Sequence, residues 1–159
     1  ILISADSNLR FKKYFYLFYK LNSTNNAESF TSFSGNPRKK RRFNYLNSIE
    51  VDYSGIGFEN HFALLQFGRG RQSWGAGSKS LLILNALSPV YEYGLLGFKL
   101  GNIKMKYFHG FLESINRSEG NFNRYIYGKG LEWSNGKNLL ISFSEVGVYQ
   151  GLDLSLIHI

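Results

Sequence analysis

The pattern of hydrophobic and polar positions indicates seven extended segments, although 90–100 shows no clean two-residue alternation. Each is rich in aromatic and branched aliphatic residues and bounded by Gly, Asn or Ser, a pattern typical of β-strands. Most are 10 to 13 residues long. Strands in globular proteins usually have about five or six residues, whereas a tilted strand that crosses a bilayer needs about 9 to 11. The length therefore favours strands of a membrane barrel. The segments are 9–20, 49–59, 61–70, 90–100, 102–113, 122–134 and 138–150.

Segment 122–134 shows the alternation most clearly. One face suits lipid with an aromatic girdle, and the opposite face suits a wet interior. Lys129 interrupts the first face, and a lysine near a membrane boundary can extend its amine to water. The first face carries Tyr125, Tyr127, Leu131 and Trp133, and the second carries Arg124, Gly128, Gly130 and Glu132.

The connections between the segments alternate between short and long. Short connections are expected at Asn60, at 101–102 and at 134–137, where Asn135-Gly136 favours a type I′ turn. Long connections are expected at 21–48, 71–89 and 114–121. Outer-membrane barrels have short turns on one side and longer loops on the other. The pattern predicts an all-β fold of antiparallel up-and-down strands from a large transmembrane outer-membrane β-barrel, with about seven strands in this chain.

Composition narrows the function classes. The formal charge of +8 indicates an anionic partner, and the absence of cysteine excludes disulfides and thiolate metal sites. No apolar run is long enough for a transmembrane helix. The basic run 37–42 lies in the expected loop 21–48, where a solvated loop, contact with lipopolysaccharide phosphates or an acidic glycan, and nucleic-acid binding all remain open.

The residues that carry chemistry form no recognisable catalytic pattern. His61 and His109 have no Ser–acid or Cys partner at a known spacing, and two histidines with scattered carboxylates are no metal signature. In the glycine-rich stretch 68–80, Ser78 stands before Lys79 where a phosphate-binding loop needs Gly. We therefore expect no enzyme activity, catalytic residue, metal or cofactor.

The two ends of the chain suggest a piece of a longer protein. The first residues contain neither an initiator Met nor a signal pattern, and 154–159 is similar to the translation of a sequencing adapter. We expect 1–153 to be part of a barrel domain truncated at both ends, and 154–159 to be an adapter-derived tail.

Several stretches within 61–151 resemble the capsule-assembly Wzi family in order and spacing. They cover more than half of the chain, although Ala76 stands where the family has Pro and Lys129-Gly130 where it has His-Arg. The matching stretches are Gly68-Arg69 through Trp74-Gly75-Ala76-Gly77, Ser80 to Ala86 with Pro89, Phe108 to Glu113, Arg124-Tyr125 through Leu131-Glu132, and Ser144 to Gly151.

The resemblance implies a bacterial outer-membrane barrel that binds capsular or related surface polysaccharide in the manner of a lectin. Partners would be that polysaccharide and outer-membrane lipid or lipopolysaccharide, with no nucleic acid expected. Arg71, Trp74 and Lys79 lie in a loop that offers a stacking aromatic ring and cations to a glycan. Alternatively, Trp74 plugs the barrel while four charged residues pair in a lumen network: Arg69, Arg124, Glu132 and Glu145.

Two other classes remain open from the sequence. In a porin or transporter, the interior charges would line a water-filled path. A soluble β-rich adhesin or nucleic-acid-binding module would instead use the basic loop. Partition into bilayers separates the soluble class from the barrels, and conductance across planar bilayers separates an open pore from a plugged lectin.

Overall fold

The structure, a computed structural model, describes residues 2–24, 48–72, 90–117 and 120–152, in which all regular secondary structure is β-strand. Each strand pairs antiparallel with the next, in one eight-stranded sheet ordered β1 to β8. The predicted all-β, up-and-down fold is confirmed. The strands are β1 (Leu2–Phe11), β2 (Phe15–Thr24), β3 (Ser48–Glu59), β4 (Ala63–Gly70), β5 (Tyr91–Leu100), β6 (Ile103–Arg117), β7 (Gly120–Ser134) and β8 (Leu140–Leu152).

The expectation of a single strand over 9–20 is wrong, and the described residues form eight strands where about seven were expected. A turn at 12–14 splits this segment, so that β1 folds back on β2 with Phe11 opposite Phe15. Lys12 makes the reversal with φ = 53°, a left-handed conformation uncommon outside glycine. This turn contains none of the Gly, Pro, Asn, Asp or Ser residues that usually mark turns, which explains why the pattern continued through it.

The turns at 12–14, 60–62, 101–102 and 135–139 all lie at one end of the sheet, which we call the turn end; the opposite end is the loop end. Hydrogen bonds tie neighbouring turns together, because the Glu59 amide donates to the Tyr14 carbonyl (2.8 Å) and the Lys99 amide to the Phe62 carbonyl (2.7 Å). The sheet is thus hydrogen-bonded as far as its turn end.

The predicted tight turn at Gly101-Asn102 is confirmed, and the predicted turn at Asn135-Gly136 differs in type. Gly101-Asn102 is a two-residue turn with positive φ only at Gly101, which fits type II′. The prediction of a type I′ turn at Asn135-Gly136 is wrong, because that turn needs positive φ at both residues and only Gly136 has it. Instead, the Asn135 side-chain oxygen accepts hydrogen bonds from the amides of 137, 138 and 139, and this cap shapes a longer loop.

The prediction of a long connection at 114–121 is also wrong. β6 continues to Arg117 and β7 begins at Gly120, so at most two residues connect them. A register shift between Leu112 and Ile115 allows the two strands to stay paired beyond the point where the alternation is lost. The expected loops 21–48 and 71–89, the basic run 37–42 and the proposed tail 154–159 lie largely or wholly outside the described residues.

Cross-strand register sorts the side chains onto two faces. Successive residues of a strand point to opposite sides, and residues paired across strands share a side. The row Phe98, Met105, Leu131 and Phe143 therefore lies on one side, which we call the apolar face. The row Lys99, Lys104, Glu132 and Ser142 lies on the other, which we call the mixed face. The two faces predicted for 122–134 are confirmed.

The hydrophobic core lies on the mixed face. Phe108, the most deeply buried side chain among the described residues, is fully inaccessible, and its ring stacks on Tyr91 with centroids 6.2 Å apart. Most of the buried side chains therefore lie on the mixed face, while Tyr125 and His109 are buried on the apolar face. The cluster consists of Tyr91, Tyr93, Leu95, Phe108 and Ile126, with Leu64, Leu112 and Val146 packed against it.

Aromatic rings of this cluster lie across glycines of the next strand. The Phe108 ring occupies the space that a side chain at Gly128 would fill, and the Tyr91 ring does the same at Gly110, where an added Cβ would be 2.6 Å from Tyr91 Cδ2. A ring can lie flat on the sheet only where the neighbouring position has no side chain. Glycine therefore lets these rings pack against the neighbouring strand.

We expect Gly128→Ala to destabilise the folded chain by about 1–3 kcal/mol, because the new methyl group would push against a ring that has no free space. The measurement is the urea midpoint of the chain folded in detergent micelles. Gly94→Ala is the control, since its methyl group would meet only the half-exposed Phe67 ring, at 3.1 Å. Equal losses from the two substitutions would contradict this account of the core.

Candidate functional site

The apolar face exposes large hydrophobic side chains on every strand. Two exposed strand hydrophobics, Leu140 and Val148, lie instead on the mixed face, both on the edge strand β8. Extended exposed patches of this kind mark contact with a membrane or a partner. The exposed members on the apolar face include Leu9, Phe11, Phe15, Ile56, Phe67, Leu96, Phe98, Leu100, Ile103, Met105, Leu131, Trp133, Ile141 and Phe143.

Towards the loop end, this face carries a stack of rings that we call the aromatic belt: His109, Phe111, Tyr125, Tyr127 and Tyr149. The rings of His109 and Tyr125 are 5.5 Å apart and nearly parallel (16°), and those of Tyr125 and Tyr149 are 5.3 Å apart (21°). His109 Nε2 and the Tyr149 hydroxyl form a 2.7 Å hydrogen bond. Rings with one polar tip suit the boundary between hydrocarbon and water.

Lys129 lies on the apolar face beside the belt, as its position in the alternation predicts, and its charge is paired. Its amine is 3.0 Å from Glu145, whose carboxylate also accepts a hydrogen bond from the Tyr127 hydroxyl (2.7 Å). All three groups belong to the adjacent strands β7 and β8. The pair lies on the turn-end side of the belt, in the row between Tyr127 and Leu131, so the charge of Lys129 is neutralised within the apolar face.

The mixed face is polar around its core. Gln66 connects two tyrosines across strands, donating to the Tyr93 hydroxyl (2.7 Å) and accepting from the Tyr16 hydroxyl (3.3 Å). Near the turn end, Lys99 and Lys104 stand directly opposite each other, with Lys106 on the same face. Like charges in this position are unfavourable, and Glu132 on the other side of Lys104 offsets them only in part.

The predicted lumen network of four charged residues is wrong as a single cluster. Cross-strand register puts Arg124 and Glu132 on the mixed face but Arg69 and Glu145 on the apolar face. Arg69 pairs with Glu92 at 3.9 Å instead, and Glu145 pairs with Lys129. The prediction combined residues from different strands without knowing their relative register.

Of the three predicted glycan-binding residues, Arg71 is the one within the described residues. Its guanidinium lies 5.8 Å from the centroid of the Tyr53 ring at the loop end of β4, close enough for a cation–π contact. The next amide, Gln72, donates to the Tyr91 hydroxyl at 3.2 Å and holds this segment against the core. Trp74 and Lys79 lie outside the described residues.

Sequence reasoning missed the contacts that build the belt. Cross-strand register places His109 on the apolar face. Its partner Tyr149 comes from β8, two strands away, and only the paired registers of β6–β7 and β7–β8 bring the rings together. The signal available in the sequence was the recurrence of Tyr at Tyr125, Tyr127 and Tyr149.

Within the described part of the chain, no helix is long and apolar enough to span a membrane. Comparisons of the chain with known protein families, with curated proteins and with solved structures find no match.

Proposed function

We propose that the chain forms part of a bacterial outer-membrane β-barrel that binds capsular or related surface polysaccharide, and that it is not an enzyme. The observation that carries the membrane part of the proposal is the contrast between the faces. The apolar face exposes large hydrophobic side chains on every strand and carries an aromatic belt in which His109 and Tyr125 are buried, while the mixed face holds the core and the lysines. Barrel strands in lipid show this contrast, with apolar residues outside and polar residues inside.

A soluble β-rich module would be expected to have a different surface. Such a domain covers an apolar sheet face with a second sheet or with helices, because exposed hydrophobic side chains lose the gain of burial. Among the described residues the most exposed large hydrophobic is Phe143 at 70%, on the apolar face. Hydrocarbon is the environment in which this arrangement has no cost.

We expect Phe143→Arg to reduce insertion of the protein into phosphatidylcholine vesicles, since an arginine on the lipid side of a barrel costs up to about 4 kcal/mol near the bilayer midplane and less near the interface. The adjacent Ser144→Arg is the matched control. Its side chain is also exposed but lies on the mixed face, where a charge stays in water. Insertion is measured by flotation and protease protection. Equal insertion of both variants would oppose a lipid-facing role for the apolar face.

Binding of polysaccharide rests on the resemblance to the Wzi family and on the chemistry of the loop end. Arg71 contacts an aromatic ring and stands at the start of the segment that contains Trp74 and Lys79. Lectin sites combine ring faces, which stack on sugars, with cations and amides. An acidic polysaccharide would match both these side chains and the net charge of +8.

In the vesicle-inserted protein, we expect Arg71→Ala to lower retention of an acidic capsular polysaccharide mainly at low salt, because exposed charges are screened beyond about 8 Å at physiological ionic strength. Trp74→Ala should lower retention at every salt concentration, because stacking is not screened. Lys129→Gln, on the apolar face, controls for loss of a positive charge. If both variants retain glycan as the parent does at low salt, the site assignment is wrong even where the barrel inserts normally.

A further inference from the structure

Three lysines lie together on the mixed face at the turn end: Lys99, Lys104 and Lys106, which we call the lysine cluster. Lys99 on β5 stands directly opposite Lys104 on β6, and Lys106 follows Lys104 on the same face. Opposite positions place their Cβ atoms about 5 Å apart, and the diagonal from Lys99 to Lys106 is about 7–8 Å. Because each amine ends a flexible four-carbon stem, the three amines can converge on one bound group.

The charges of the lysine cluster are exposed and not neutralised. All three side chains are open to solvent. Among the residues that the structure describes, no carboxylate forms an ion pair with any of the three amines, although Glu132 is the neighbour of Lys104 on β7. Like charges directly opposite each other destabilise a sheet. A bound anion would therefore remove a cost that the folded chain otherwise carries.

A small pocket lies beside the lysine cluster. Its volume is about 150 Å³, and its lining includes the three lysines together with Glu59 and Gly97. Lys106 lies between Gly97 and Gly130 in its row, so no side chain flanks it on either neighbouring strand. Sites for drug-sized molecules have about 300–1,000 Å³. This pocket suits a small anion, or the acidic group of a larger molecule, and three amines against one carboxylate leave positive charge in excess.

The type and number of donors favour a phosphate group over a carboxylate. A lysine amine is a compact charge with three N–H donors. A phosphate monoester carries a charge of about −1.5 to −2 at neutral pH and has three strong acceptor oxygens. It can therefore accept from three amines at once, and it offsets their repulsion more fully than a carboxylate with one charge and two oxygens.

We propose that the lysine cluster is a binding site for a phosphate group, either inorganic phosphate or the monoester of a small molecule. The phosphate oxygens accept hydrogen bonds from Nζ of Lys99, Lys104 and Lys106 beside the small pocket. The site lies at the opposite end of the sheet from Arg71, so it is separate from the proposed glycan site. It requires only that the mixed face meet water.

The test titrates the full chain, in micelles of an uncharged detergent, with inorganic phosphate, glycerol 3-phosphate or glucuronate. Binding is measured by calorimetry near neutral pH at constant ionic strength. We expect both phosphate ligands to bind and glucuronate, which has a single carboxylate, to bind about fivefold more weakly. Tighter binding of glycerol 3-phosphate than of inorganic phosphate would identify a monoester as the ligand, and the reverse order would identify the free anion.

Four variants separate charge from folding. Lys104→Gln and Lys106→Gln should each weaken binding of glycerol 3-phosphate about two- to fivefold, the effect of one exposed ionic contact. Lys20→Gln removes a cation from the same face towards the loop end and should leave binding unchanged. Glu132→Gln should strengthen binding, because its carboxylate competes for Lys104. A loss of folding cannot produce tighter binding, so this variant reports on charge alone.

Absence of binding by both phosphate ligands would overturn the site, as would glucuronate binding as tightly as they do. Equal losses from Lys104→Gln and Lys20→Gln, or weaker binding by Glu132→Gln, would also overturn it. These outcomes leave the membrane proposal intact, because insertion of the apolar face into vesicles is measured separately.

Discussion

The side-chain alternation, carried in register through seven strand pairs, is the constraint on which the other features depend. A shift of one residue in any pair would move every side chain of a strand to the opposite face. The two register shifts, at Lys20/Leu21 and between Leu112 and Ile115, both lie towards the loop end. Pairing is regular through the apolar rows and the aromatic belt, so the two faces stay separate where their surroundings differ.

Glycine and aromatic residues complement each other within this register. A large ring that stands upright on a sheet gains little burial from that sheet, but it buries one face by lying over a glycine of the next strand. Phe108 over Gly128 and Tyr91 over Gly110 build the core in this way on the mixed face. The same packing recurs where Tyr16 lies over Gly57 and Tyr127 over Gly147.

Much of the fold was predictable because strands longer than usual leave a clear alternating pattern. Six strands in sequential antiparallel order, with turns near 101–102 and 135–136, were expected within 49–150 and are present as β3 to β8. The hairpin at Lys12 was missed because its turn uses residues without a turn signal, and the end of β6 was missed because the alternation is lost after Leu112. Local pattern therefore predicts the strands better than it predicts where they reverse.

The candidate site was less predictable, for a reason that lies in the register. Alternation within one strand assigns a residue to a face relative to that strand alone. It gave the two faces of β7 correctly, but it did not relate Arg69 on β4 to Arg124 on β7. The His109–Tyr149 contact and the pairing of Lys129 with Glu145 require knowledge of which residues stand opposite each other on neighbouring strands.

The central claim is that the two faces of this sheet meet different solvents, and a cysteine scan along the inner strand β6 tests it directly. The chain has no native cysteine, so single cysteines at 103 to 107 can each carry an environment-sensitive dye, and all five side chains are exposed. In vesicles, dyes at Ile103, Met105 and Tyr107 should be quenched by nitroxide-bearing lipids, whereas dyes at Lys104 and Lys106 should be quenched by aqueous iodide. Quenching by iodide alone, or without alternation between odd and even positions, would contradict the claim.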